Sequence, residues 1–144
     1  MHKFYFAYGM NTNVTEMAIR CPKATSLGKC ILENYELRFR THADIDLVPG
    51  SYMEGVLWEI TPECESALDR LEGYPYYYNK VNVVVNDDII AMAYVMNNKG
   101  PEEPPGLSYK NCLIEGYRAH GLDIDWLLEN IELSYNEVTD VVAK

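Results

Sequence analysis

Leu68-Asp69-Arg70-Leu71-Glu72-Gly73-Tyr74-Pro75 sets a carboxylate in the last turn of a helix, where the partial negative charge of the helix end disfavours it. Residue types bound that helix. Thr61 is an N-cap, Pro62 suits the first helical position, Gly73 is the usual left-handed C-terminal cap, and Pro75 bars continuation. At spacing i, i+4, i+8, Cys64, Leu68 and Glu72 share one face with Leu71 beside it, whereas Glu65 and Asp69 mark the surface side. Burial and helix polarity both push the Glu72 carboxyl upward, toward the range where a carboxylic acid exchanges protons at neutral pH. The plainer reading is a snorkelling or ion-paired glutamate near a helix end.

A second segment with chemical potential is Tyr5-Phe6-Ala7-Tyr8-Gly9-Met10-Asn11. An aromatic strand runs into Gly9, and Asn13-Val14-Thr15-Glu16 then opens a helix as the asparagine form of a capping box. Such a turn presents backbone N–H groups that can hold a carboxylate or an oxyanion, and glycine lets a ligand approach the chain closely. An ordinary strand-to-helix turn has the same signature.

The elements that must position these residues are short strands mingled with helices. Residues 3–8 read as a buried strand and 14–21 as a two-turn helix. Leu27 to Phe39 reads as two strands with a turn at Glu33-Asn34, and Thr41 to Met53 as an irregular excursion rich in Asp, Pro and Gly. Glu54 to Ile60 returns to strand. Lys80 to Val85 and Ile89 to Met96 form a hairpin through Asn86-Asp87-Asp88. Asn97 to Gly106 is a loop, Ser108 to His120 a helix stopped by Gly121, and Asp123 caps a last helix to about Glu129. Val138 to Val142 is a candidate final strand. This order predicts one small mixed α/β (α+β) domain over residues 1–144, with a curved or barrel-like sheet.

The chain of 144 residues, 48% hydrophobic and 24% charged, has the composition of a single globular domain. Its net charge of -10 argues against nucleic acid or an anionic membrane as partner. The first eight residues are too short and too polar for an export signal, and no apolar stretch has the length of a membrane span, so a cytoplasmic protein is expected. Cys21, Cys30, Cys64 and Cys112 lack CxxC pairing and read as free thiols. His2, His42 and His120 match no metal-ligand spacing, so no metal is expected and the histidines read as structural or exposed. No signal points to a particular oligomeric state.

Several of these segments resemble, in order, the γ-glutamylcyclotransferase (AIG2-like) family. Tyr5-Phe6-Ala7-Tyr8-Gly9-Met10-Asn11 is similar to that family's Y-F-A-Y-G-S-N loop, Gly55-Val56-Leu57-Trp58 to its G-V-[LV]-W strand, and Leu68 to Gly73 to its L-D-x-x-E-G. Pro104-Pro105 through Tyr109, with Gly116 and Gly121-Leu122, resembles its P-P-x-x-x-Y segment and following helix. The resemblance implies that family's fold and makes Glu72 the catalytic acid/base. It assigns Tyr5, Phe6, Ala7, Tyr8, Gly9, Met10, with Asn11 alongside, and Tyr109 to substrate binding. Met10 departs from the pattern, standing where the family has Ser. The backbone N–H survives that change and the hydroxyl does not.

The implied reaction is an intramolecular aminolysis of a small γ-glutamyl substrate, releasing 5-oxoproline and an amine with no cofactor. The leaving group stays open among an amino acid, the dipeptide of glutathione, and an amine. The alternative is a non-catalytic small-molecule-binding or regulatory protein on the same fold, favoured by Met10. A module using the acidic surface and the twelve tyrosines for protein contacts is a third reading, though tyrosines in strand-like runs are ordinarily core.

Overall fold

A computed structural model of the chain describes residues 3–143, and their side chains as far as residue 135. Its elements are β1 (Lys3–Ala7), a 3-10 turn (Met10–Thr12), α1 (Val14–Arg20), β2 (Thr25–Arg40), β3 (His42–Ile60), α2 (Pro62–Glu72), β4 (Tyr78–Val85), β5 (Ile89–Met96), α3 (Leu107–His120) and α4 (Ile124–Ala143). The strands close into a barrel in the order β1-β3-β2-β4-β5. All neighbours are antiparallel except β1 and β5, which run parallel with Tyr5 opposite Met92. Two of the seams are narrow: a single residue pair joins β1 to β5, and Leu32 with Val85 alone joins β2 to β4. Phe6, Leu37, Phe39, Ile45, Met53 and Val56 are fully buried in the core, and α3 and α4 add Leu113, Tyr117 and Leu127.

Caps appear where residue type demands them. The Asn13 Oδ1 accepts the Glu16 N–H at 3.1 Å, and Thr61 Oγ1 accepts the Cys64 N–H at 3.2 Å. Gly73 and Gly121 close α2 and α3 in the left-handed conformation.

Three expectations are corrected. Asn34 does not turn the chain between two strands. At φ 69° it absorbs a register shift between Glu33 and Tyr35 inside one continuous β2, because asparagine tolerates the left-handed region a bulge requires. The true turn is at Thr41, φ 68°, where Arg40 pairs with His42. Residues 42–53, read as an excursion, belong to β3. Their acids are neutralised in place: Asp44, fully buried, accepts from Arg40 Nη1 at 2.8 Å, Lys99 Nζ at 2.8 Å and the Met96 N–H at 2.9 Å. Val138 to Val142 continues α4 to Ala143 and forms no strand. An established run of helical hydrogen bonds outweighs the strand preference of a few β-branched residues.

The helical layer is pressed onto the turn after β1. A Cβ on Gly116 would lie 2.4 Å from Thr12 Oγ1, so only glycine lets α3 sit there. Asn13 Nδ2 ties the same junction to the Cys112 carbonyl at 3.0 Å and to Glu115 Oε2 at 2.8 Å.

Candidate active site

One end of the barrel opens into a cavity of about 480 Å³. Its walls come from the β1 turn, the β2–β3 hairpin tip, the end of α2, the paired strands β4 and β5, and the first turn of α3. Glu72 is the one carboxylate in the lining. Buried Leu68 and Cys64 lie on the face below it. Burial pushes the Glu72 carboxyl up to about 7, against a downward pull from Arg20.

The rest of α2 explains how Glu72 is held there. The Glu65 and Asp69 side is an anchoring face rather than the free surface expected. Lys80 Nζ reaches Glu65 Oε2 at 2.7 Å and Asp69 Oδ1 at 3.1 Å, and Lys3 binds Glu65 at 2.9 Å. The Tyr94 hydroxyl donates to Asp69 Oδ1 at 2.6 Å. The helix end is thus tied to β1, β4 and β5 while Glu72 faces the cavity.

Six tyrosines line the cavity; Tyr77 is exposed, and the hydrogen bonds of the other five divide them into two groups. Tyr8 donates its proton to the Tyr94 carbonyl, Tyr78 to the Ala43 carbonyl at 2.7 Å, and Tyr94 to Asp69. Tyr5 and Tyr109 instead accept. The Tyr5 oxygen takes the Asn11 Nδ2–H at 3.1 Å, and the Tyr109 oxygen takes the Ala43 N–H at 3.1 Å with help from the Met10 main chain. Neither hydroxyl donates to another described residue, so each keeps a proton to offer a ligand. Burial holds both phenols far above their ordinary titration range, so both stay protonated.

Gly9 is required by this arrangement. A Cβ there would come 2.8 Å from the Tyr109 hydroxyl, so the close approach that glycine permits is that of a tyrosine, seated on the loop. Met10 also lines the cavity, and its sulfur accepts from Arg20 Nη2 at 3.1 Å. Arg20 is held by Glu16 at 2.7 Å, and its buried Nε has no partner among the described residues. Asn11, also buried, accepts the Trp58 indole N–H on its main-chain carbonyl at 3.0 Å, and its Oδ1 has no partner among the described residues.

Of the residues singled out in the sequence, Tyr5, Tyr8, Gly9, Met10, Asn11, Glu72 and Tyr109 meet around this cavity. Phe6 and Ala7 do not line it; both are buried in the barrel wall. Tyr78, Tyr94, Ala43 and Arg70 were missed, and so was His42, which packs edge-on against Tyr109 at 5.2 Å between ring centroids. His120 is structural, bonded to Ser26 and the Gly116 carbonyl, and His2 lies outside the described residues. The four cysteines are free thiols. Among the described residues no group of three His, Cys, Asp or Glu is placed to hold a metal ion, and no helix is long and apolar enough to cross a membrane.

A buried carboxyl with a raised pKa, facing a tyrosine-lined cavity that opens at one end of the barrel, is an arrangement suited to proton transfer on a small bound molecule. The family model described as gamma-glutamyl cyclotransferase, AIG2-like, matches residues 5–111, a span that contains both the β1 turn and Tyr109. The chain belongs to that family, which is a family of enzymes. It is 26% identical to human gamma-glutamylcyclotransferase over 97% of this chain and 83% of that one. It is 29% identical to the mouse protein of the same name over 82% of this chain and 71% of that one. A solved structure named gamma-glutamyl cyclotransferase superposes with a TM-score of 0.77 at 25% identity, covering 90% of this chain and 86% of the other.

Proposed function

We propose that this protein cyclises a γ-glutamyl compound to 5-oxoproline and releases an amine, with Glu72 carrying the proton. The observation that carries the reading is the cavity's one carboxylate, raised to about 7 by its burial. At neutral pH such a group is divided between its two forms, as a residue that must first accept and then return a proton requires.

The substrate's α-amino nitrogen attacks its own γ-carbonyl carbon. The new C–N bond closes a five-membered ring, the old amide C–N bond breaks, and the proton lost by the attacking nitrogen passes through Glu72 to the leaving nitrogen. No water is consumed. The protein's other contributions are confinement of the γ-glutamyl chain in an attacking conformer and stabilisation of the tetrahedral oxyanion. The uncommitted hydroxyl protons of Tyr5 and Tyr109, with N–H groups of the 9–11 turn, are suited to the oxyanion or the glutamyl carboxylate. The unpartnered Oδ1 of Asn11 is an acceptor suited to the amine. A cytoplasmic setting fits the free thiols.

The test is incubation with a panel of γ-glutamyl amino acids, glutathione and γ-glutamyl amines, reading 5-oxoproline. Turnover of at least one compound, lost in Glu72→Gln, is expected. Binding of 5-oxoproline without turnover of any compound would favour a non-catalytic binding protein instead.

A further inference from the structure

Arg20 carries a charge that its surroundings only half satisfy. Its Nη1 donates to Glu16 Oε2 at 2.7 Å and to the Glu16 carbonyl at 3.0 Å, one turn back on α1. Its Nη2 donates to the Met10 sulfur at 3.1 Å, and its Nε is buried with no partner among the described residues. A guanidinium has five N–H groups and a thioether is a weak acceptor, so the one anionic partner is a single Glu16 oxygen. An arginine kept for structure alone is better served by a bidentate carboxylate. A polar group left unpaired in a protein interior calls for a reason.

That reason lies across the cavity wall. Met10 lines the cavity and Arg20 does not, so the thioether stands between the cation and a bound ligand. The cover is held from behind by α3, where the Cys112 thiol meets the Met10 carbonyl at 3.8 Å. α1 also packs on α2, the helix that ends in Glu72. The Arg20 charge draws Glu72 toward its carboxylate form, against the larger effect of burial. The other groups facing the cavity supply no comparable charge. Tyr5, Tyr8, Tyr78, Tyr94 and Tyr109, from β1 and its turn, β4, β5 and α3, are held protonated and neutral by burial. His42 at the hairpin tip, Arg70 on α2 itself and Tyr77 are exposed, where solvent screens them.

We propose that Arg20 is a positioning residue for the reaction: fixed by Glu16 and walled off by Met10, its cation keeps part of the Glu72 population in the carboxylate form at neutral pH. Burial alone favours the neutral acid, which cannot accept the proton of the attacking nitrogen. A cation held behind the wall corrects this without pairing directly with Glu72 or with the ligand. Met10, the departure from the family loop, gains a physical role as the cover that seats the guanidinium without neutralising it. This inference rests on the Glu72 reading above.

The experiment follows the Glu72 carboxyl by carbon NMR from pH 4 to 9, its signal assigned by its loss in E72Q, in wild type, R20Q, R20M, R20K and E16Q. The same proteins are assayed for 5-oxoproline release from the γ-glutamyl panel across that range. The midpoint is expected to rise by about one pH unit in the two neutral variants and to stay near wild type in R20K. On the acid limb, kcat/KM at fixed pH then falls about tenfold in R20Q and R20M, and R20K restores it. E16Q keeps the cation and loses an anion, so its midpoint does not rise. A midpoint unmoved in whichever neutral variant folds overturns the proposal. So does an equal rise in R20K or E16Q, the mark of loosened packing alone. Turnover with an unmoved midpoint removes the Arg20 coupling and spares the Glu72 reading. A midpoint that moves as expected in a protein that releases no 5-oxoproline removes the Glu72 reading, and with it the reaction that Arg20 serves.

Discussion

Replacing Glu72 by glutamine should make the protein more stable at pH 8 and leave its stability nearly unaltered at pH 4. The folded carboxyl titrates at about 7 against an ordinary value of 4.5. Below pH 4.5 it is protonated in both folded and unfolded chains and its burial is harmless. Between 4.5 and 7 the unfolded chain releases the proton while the folded one retains it, so unfolding gains ground steadily as pH rises. Above 7 both states are ionised and the full penalty is present. At about 1.4 kcal/mol per pH unit the gap corresponds to about 3 kcal/mol, trimmed to about 2 by water at the open mouth. Glutamine keeps the shape and never ionises, so its stability curve lacks this decline. Urea unfolding of both proteins at half-unit steps from pH 4 to 8.5 measures the difference. Curves that stay parallel across that range would refute the claim that burial raises the Glu72 carboxyl.

Tyr109→Phe should raise KM for a γ-glutamyl substrate more than it lowers kcat, and should cost about 1–3 kcal/mol of stability because the Ala43 N–H loses its acceptor. An unchanged KM with a collapsed kcat would put Tyr109 in the proton path instead. Asp44→Ala should destabilise by about 3 kcal/mol, since Arg40 and Lys99 lose a fully buried partner at the hairpin tip that carries Ala43; a loss under about 1 kcal/mol in urea unfolding would contradict that role. Met10→Ser should tighten 5-oxoproline about three- to tenfold by calorimetry, the worth of one restored hydrogen bond. No change would mean the residue 10 side chain does not meet the ligand's polar groups.

Much of the architecture is carried by local chemistry. Thr61, Pro62 and Gly73 delimit α2, Asn13 caps α1, and Asn86-Asp87-Asp88 turns β4 into β5, each through short-range sterics or a single hydrogen bond. What escaped was non-local. Asp44 and Asp46 look like loop residues until Arg40 and Lys99 are brought in to pair with them, and Asn34 looks like a turn until its neighbours Glu33 and Tyr35 are seen to pair with Tyr52 and Leu47, a shift of three residues within one hairpin. The long β2–β3 hairpin was hidden for that reason. Glu72 stood out because its position conflicts with helix polarity, and the 9–11 turn because of its glycine. Tyr78 and Tyr94 lie in strands where an aromatic is ordinarily core, and nothing in their spacing marks the cavity they face. Phe6 shows the converse: it sits in the most recognisable motif and packs away from the site.

The central claim, that Glu72 is the proton-carrying group of a γ-glutamyl cyclisation, is tested most directly by the pH dependence of kcat/KM for 5-oxoproline release. Wild type should lose about tenfold per pH unit below an apparent pKa near 7, as a base with that folded value requires. In Glu72→Gln the rate should fall on the order of 10²–10⁴-fold, and the residual activity should lose that acid limb. A wild-type profile flat from pH 5.5 to 8, or a glutamine variant that keeps both its rate and the limb, would contradict the account.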